Sequence, residues 1–378
     1  MSEHRNQFFA TDKDIFDLLA SARQKLTEGV LREIARDRGI FFSPNDTRDD
    51  LTDALSLLPF TLNELLNLMD RQETTRRNEK ITTITLDAQI EADDIKAAIK
   101  EYQNEVGPTE KVDSHLKGAD EVVLNVEYDE MDYSRTRLIQ RQRHDATIKF
   151  VQQDGKTVVR FPASEKSQRI VENLTSRIES RRKAAVQRES IELDPDFDSD
   201  ERTTFFTRLI SELAGYTLKG VTNLRIAPSI RSAADADDDL VDIDDEEREL
   251  ANREMLVIVK SMALTGENLI ASEEYQSLRK RGFYITSITW RADQTSIPYD
   301  APHLHAEFAD GEAGTGFKYS VKGIYRFQEG FYTKTARPAD DTEREKLYGM
   351  LETTARKVLK EQRQKRTQAA GSTEEAAS

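Results

Sequence analysis

Thr147-Ile148-Lys149-Phe150-Val151, then Gln152-Gln153-Asp154-Gly155-Lys156, then Thr157-Val158-Val159-Arg160-Phe161 form the stretch whose reading decides the fold. Two runs rich in β-branched and aromatic residues flank Asp154-Gly155, a dipeptide that accepts the left-handed backbone of a two-residue hairpin turn. A β-hairpin is therefore predicted. Working outward, Val122-Val123-Leu124-Asn125-Val126 and Ile81-Thr82-Thr83-Ile84-Thr85-Leu86 read as further strands, with a helix between them that carries Ile95, Ala98 and Ile99 on one side. A long helix from Ser164 to about Arg188 closes this half. The second half reads in the same order: a strand at Met255–Val259, a helix at Ser272–Arg281, strands at Tyr284–Trp290, His303–Phe308 and Tyr319–Phe327, and a charged helix from Asp340 to Arg366. Ahead of both halves, the spacing of apolar residues by three and four predicts helices at Asp14–Leu26, Leu31–Asp37, Arg48–Leu58 and Leu62–Arg71, the last capped by Thr61.

The predicted class is α+β: an N-terminal helical module at 1–78, a first half at 79–192, an acidic linker region with a short helix at 193–253, a second half at 254–366, and a disordered tail at 367–378. Each half has the element order β-α-β-β-β-α. The linker region is read from Asp194, Asp196, Asp198 and Asp200, and from residues 235–249, where ten acids stand against the single base Arg248. Charge of one sign at that density resists burial. Asp235, Asp237, Asp239 and Glu246 fall at calcium-loop positions, but Leu240 stands where that loop needs glycine, so the run reads as acidic sequence without a metal.

Composition bounds the function. Of 378 residues, 55 are Lys or Arg and 70 are Asp or Glu, a net charge of −15 that argues against coating DNA through bulk charge yet allows a local basic face. The absence of cysteine excludes disulfide scaffolds, thiolate zinc sites, iron-sulfur clusters and cysteine nucleophiles. The polar start, Met1 to Gln7, predicts no secretory signal, and the most apolar window, Leu55–Met69, is broken by Asn63, Glu64 and Asn67. A cytoplasmic protein without a membrane span is expected.

Val30-Leu31-Arg32-Glu33-Ile34-Ala35-Arg36-Asp37-Arg38-Gly39-Ile40, followed by Thr47-Arg48-Asp49-Asp50-Leu51-Thr52-Asp53-Ala54-Leu55, reads as a helix ending at a glycine, an extended piece, and a second helix capped by Asp46 or Thr47. This stretch resembles the SAP-type DNA-binding motif, in which two short helices flank a turn and present basic residues to the phosphate backbone. The resemblance implies backbone contacts from Arg32, Arg36, Arg38 and Arg48. A small helical docking or dimerisation domain accounts for the same pattern.

Charge segregation is a separate signal. Residues 134–188 hold 14 Lys and Arg against 5 Asp and Glu, which leaves the rest of the chain at −24. Arg135, Arg137, Arg141 and Arg143 recur with period two, so a strand here would project each pair to one face. Arg177, Arg181, Arg182, Lys183 and Arg188 crowd the end of the long helix. Aromatic residues suited to base stacking are scarce nearby, so contact with a duplex backbone is the economical reading.

For enzymology, the sequence offers His303-Leu304-His305-Ala306-Glu307, whose alternation on a strand places both imidazoles and the carboxylate on one face, a set that suits zinc, manganese or iron. A polar strand face yields the same string. No phosphate loop, nucleophile elbow or kinase motif is present, and no cofactor is expected. The expectation is a binding protein and not an enzyme, contacting duplex DNA through Arg32, Arg36, Arg38 and Arg48 and through Arg135, Arg137, Arg141, Arg143, Arg181, Arg182 and Lys183. The alternatives are a protein-interaction scaffold or homo-oligomer, and a metal-dependent enzyme built on His303, His305 and Glu307.

Overall fold

The computed structural model describes residues 10–72, 79–118, 121–228, 262–265 and 269–376, and its contacts define two compact units: residues 1–76, 101–113 and 125–146, and residues 77–100, 114–124 and 147–378. The class is α+β with a large antiparallel sheet. The expected strand at Met255–Val259, the acidic run at 235–249 with its calcium-loop positions, and the last residues of the tail lie outside the described residues.

The first unit is built on four helices: α1 (Asp12–Ser21), α2 (Glu28–Asp37), α3 (Arg48–Ser56) and α4 (Leu62–Gln72). Each of three begins with a threonine whose side chain accepts from the backbone three residues on, while an acid there returns the bond: Thr11 with Asp14, Thr47 with Asp50, and Thr61 with Glu64. These reciprocal bonds satisfy amides that the helix leaves open. The second helix ends before Gly39, whose φ of 74° supplies the left-handed turn that the sequence predicted. Ile15, Leu18, Leu19, Leu26, Leu31, Ala35, Leu51, Leu55, Leu65 and Leu68 form the core, joined by Leu138.

The strands are β1 (Ile81–Leu86), β2 (Glu110–Lys117), β3 (Glu121–Met131), β4 (Arg141–Gln153), β5 (Lys156–Pro162), β6 (Arg188–Ser190), β7 (Tyr216–Pro228), β8 (Met262–Thr265), β9 (Phe283–Gln294), β10 (Ala301–Asp310) and β11 (Thr315–Tyr325). Their order in the sheet is β2-β3-β4-β5-β1-β11-β10-β9-β7-β8, with β6 also pairing with β1. The predicted hairpin joins β4 to β5: Gln153 faces Lys156, and Asp154 and Gly155 have φ of 52° and 75°. Helices α5 (Ala92–Val106), α6 (Glu165–Arg182), α7 (Ser199–Ser211), α8 (Glu273–Lys280) and α9 (Asp341–Ala376) complete the chain, with a small hairpin of β12 (Phe327–Gln328) and β13 (Phe331–Tyr332).

Three expectations are corrected here. The long helix stops at Arg182 because Lys183 turns left-handed, at φ 51°, and the chain returns as β6 along β1. Residues 193–228, expected within a linker, are core: α7 buries Phe205, Phe206, Leu209 and Ile210, and β7 pairs along most of β9. Its acids serve the fold, since Asp198 caps α7 with Glu201. Finally, only Arg141 and Arg143 lie on a strand; Arg137 opens a short 3-10 helix at Arg137–Ile139 that delivers Leu138 to the helical core. Among the described strands the two halves also differ in neighbours. β1 lies beside the last strand of its half, β5, whereas β9, β10 and β11 run as a meander.

Side chains alternate across β9, β10 and β11. Phe317, Tyr319 and Val321 join Leu304, Ala306, Phe308, Ile288 and Trp290 in a core shared with α7 and with Leu347, Tyr348 and Leu351 of α9. The intervening residues, Lys318, Ser320, Lys322, His303, His305, Glu307, Ser287 and Thr289, belong to the opposite face.

Candidate anion-binding surfaces

The arginines singled out in the sequence are brought to order by partners within the chain. In the helical module, Arg32 donates to Glu28 at 2.8 Å and to the carbonyls of Ser43 and Asp46 at 3.0 and 2.7 Å, which fastens the loop between α2 and α3. Arg38 lies 3.9 Å over the Phe60 ring and donates to the Pro59 carbonyl and to Glu64. Arg48 donates to the carbonyls of Leu26 and Leu19. These three hold the fold. The Arg36 side chain is exposed and pairs with no described residue, which makes it the one guanidinium of the SAP-like set left free among them.

The second set behaves similarly. Arg135 pairs with Asp132 at 2.9 Å, Arg137 with Asp14 at 3.0 Å, Arg141 with Asp129, and Arg143 with Glu127. Hydrogen bonds from Lys111 and then Arg143 hold the Glu127 carboxyl below its ordinary pKa, so the pairing stays charged. In the second unit Arg182 donates to the Gln89 carbonyl, and Arg181, Arg182 and Lys183 lie exposed at the end of α6, where the helix dipole favours positive charge.

His303, His305 and Glu307 do share one sheet face, as predicted, but each is engaged. His303 Nε2 lies 2.9 Å from Thr222 Oγ1. His305 Nδ1 lies 2.9 Å from Thr289 Oγ1, and its Nε2 lies 3.0 Å from Glu307 Oε2. The other Glu307 oxygen receives Lys80 at 2.5 Å and Lys318 at 3.2 Å. Burial opposes the charge on Glu307, yet the bonds from His305 and Lys80 override it and hold the carboxyl far below its ordinary pKa. Burial pushes the His305 pKa down, against the pull of Glu307 and with help from Lys322 and Lys80. An ionised carboxylate can only accept. The neutral ring therefore donates from Nε2 to Glu307 and accepts at Nδ1 from the Thr289 hydroxyl. With both ring nitrogens and the carboxylate occupied, and with a register shift between His303 and Leu304, the three do not converge on a point. Among the described residues no group of three His, Asp or Glu side chains is arranged to hold a metal ion.

A concavity lies elsewhere in the second unit. A groove of about 840 Å³ is lined by Lys156 of β5, by Glu189, Ser190 and Ile191 at β6, and by the C-terminal part of α9. Arg356, Lys360, Arg363 and Thr367 follow at spacings of four, three and four, so they form one stripe along the helix. Five cations and one carboxylate line this space. Lys156 is held by Asp87 at 3.0 Å, Lys357 by Glu212 at 3.1 Å, and Arg363 by Asp194 at 2.8 Å. Lys360 is exposed and has no partner among the described residues. Arg356 approaches Glu352 only to 4.0 Å, and its Nε and Nη2 are buried without a hydrogen-bond partner. A buried donor left open is costly unless something fills it.

Sequence reasoning passed over this site. Residues 356–366 carry six bases against the single acid Glu361, a denser surplus than that of 134–188, and the helical stripe within it was a readable signal. That Lys156, some two hundred residues earlier, faces the same stripe was not readable. No known protein family and no curated protein matches the chain.

Proposed function

We propose that the protein is a non-enzymatic DNA-binding protein that contacts the phosphate backbone of a duplex through the groove beside α9. One observation carries this reading: five cations, Lys156 of β5 and four from α9, converge on one concave surface of a chain whose net charge is −15. Carboxylates position three of them, while Lys360 and the open donors of Arg356 remain for a ligand. From Arg356 to Arg363 the helix rises about 10 Å, against which a duplex presents roughly six charges at about 1.7 Å each. The contacts are to backbone, so the binding is tolerant of sequence. Arg36 in the first unit and, separately, Arg181, Arg182 and Lys183 at the end of α6 are exposed; Arg32, Arg38 and Arg48 serve the helical module.

Fluorescence anisotropy with a short labelled duplex, titrated with salt, tests the proposal. Five phosphate contacts give a slope of log affinity against log salt of about −4.5, or roughly a 500-fold loss between 50 and 200 mM salt. Lys360→Glu, an exposed change, should weaken binding and flatten the slope by about 0.9 to 1.8. No binding at low salt, or an unaltered slope in that variant, refutes the proposal.

A second reading, a protein-interaction scaffold or self-associating protein, has its own observation. Ile297 and Phe331 are 81% and 79% exposed and sit in the same loop and hairpin region as Tyr299 and Phe327, whose rings are 6.2 Å apart. Salt-insensitive self-association lost on Phe331→Ser, seen by light scattering, would favour it.

A further inference from the structure

Around Lys80, Lys318 and Lys322 the polar sheet face holds more positive charge than Glu307 can balance. Glu307 already receives Lys80 and Lys318. Lys322, two residues on from Ser320, is half-buried on the same face and pairs with no described residue. Burial lowers the pKa of its ammonium, the charge of Lys80 lowers it further, and Glu307 only partly offsets both. Beside it, Ser320 is fully buried with its Oγ lacking any hydrogen-bond partner, directly across the strand pair from His305. The pairing of Ile81 with Tyr319 puts Lys80, one residue before Ile81, on the other flank of Ser320. Both histidines are held neutral by burial and by the surrounding cations, so neither adds to the surplus.

A buried hydroxyl with an open donor, flanked by two ammonium groups of which one forms no ion pair with a described residue, has the chemistry of a site for a small oxyanion. We propose that Lys80, Ser320 and Lys322 bind a phosphate-type anion on the face of the sheet opposite α9. The lysines supply charge and the serine a directional donor. Glu307, already shared between Lys80 and Lys318, fixes the Lys80 ammonium on this face and repels a second carboxylate. The ligand class is therefore a compact dianion such as inorganic phosphate or a terminal phosphate group, one that gains from two cations at once. This site does not depend on the groove and need not be occupied when DNA is bound.

The test is the melting temperature of the full chain in phosphate against chloride at matched ionic strength. Phosphate at 100 times its dissociation constant should raise it by about 5 °C. Lys322→Met and Ser320→Ala should lose that rise, and Lys322→Arg, which keeps the charge, should retain it. Lys360→Glu should also retain it, which separates this site from the groove, just as Lys322→Met should retain duplex binding. No rise in the parent protein, or an undiminished rise in Lys322→Met, overturns the proposal.

Discussion

Replacing Arg160 with methionine should destabilise the second unit more than any comparable surface change. The Arg160 guanidinium grips Glu352 through two bonds, Nε to Oε1 at 2.7 Å and Nη2 to Oε2 at 2.9 Å, and reaches Glu345 at 2.8 Å. Glu352 is 1% exposed and also accepts from the Tyr319 hydroxyl. Glu345 has a second cation in Lys149, at 2.5 Å. Burial works against the Arg160 charge, but Glu352, and behind it Glu345, raise its pKa above the ordinary arginine value, so it stays charged in the fold. Arg160→Met keeps most of the aliphatic volume and leaves Glu352 buried beside the Tyr319 phenol, with Arg356 no nearer than 4.0 Å. Removing one partner of such a pair costs about 3–5 kcal/mol. At about 2 °C per kcal/mol for a unit of this size, the melting temperature should fall by about 6–10 °C. Arg160→Met with Glu352→Leu removes the orphaned charge and should recover most of the loss, so the double-mutant cycle should show strong coupling. Calorimetry or urea unfolding of the four proteins measures it. A single-mutant cost below about 1 kcal/mol, or additive effects, would refute the reasoning.

The pH dependence follows from the neutral histidines. Burial holds His303 and His305 below the unfolded value of about 6.5, so the unfolded chain takes up more protons there; the stability they contribute is present above that pH and is lost as pH falls through their folded values. Urea unfolding of the His303→Gln, His305→Gln protein should show a flatter profile on the acid side of about pH 6.5; an equally steep profile would assign the dependence to other groups. Glu307 has the carboxylate sign: its depressed pKa contributes stability above about pH 4.3 that disappears in acid, and Glu307→Gln should remove that part while unbalancing Lys80 and Lys318. Deleting residues 235–249 takes out ten acids and one base, so duplex affinity in the anisotropy assay should rise; unchanged affinity would mean that this charge does not oppose DNA.

What the sequence made legible was local. The hairpin at Asp154-Gly155, the threonine caps and the helical spacing of Ile95, Ala98 and Ile99 are each decided within a few residues, and those three side chains are buried as the pattern put them. β7 was lost because the Asp-rich sequence ahead of it resembles a solvated linker, whereas Asp198 is a helix cap and Asp194 is the counter-charge of Arg363, 169 residues away. The arginine readings failed to anticipate pairing for the same reason. Arg141 meets Asp129 and Arg143 meets Glu127 only because β3 and β4 carry them past one another. A count along the chain sees the bases and not the acids opposite.

That difference explains where an acidic chain leaves positive charge available. Between residues 127 and 143 four bases stand against four acids; Arg141 and Arg143 of β4 meet Asp129 and Glu127 of β3, while Arg135 meets Asp132 and Arg137 meets Asp14. Along the last part of α9 the supply of acids falls short: Glu212, Asp194 and Glu361 engage Lys357 and Arg363, Glu201 approaches Arg366 at 3.6 Å, and Lys360 and Lys365 are left exposed without a described partner. Earlier on the same helix, Glu345 and Glu352 are consumed by Lys149 and Arg160, with Gly349 between them facing the Arg160 guanidinium. Glu352 therefore cannot also saturate Arg356, one turn further along. The buried pair that fixes α9 to the sheet is the reason that Arg356 enters the groove with open donors. Arg160→Met should thus act on DNA binding as well as on stability, since it frees Glu352 to turn toward Arg356 and close the donors that a phosphate would use.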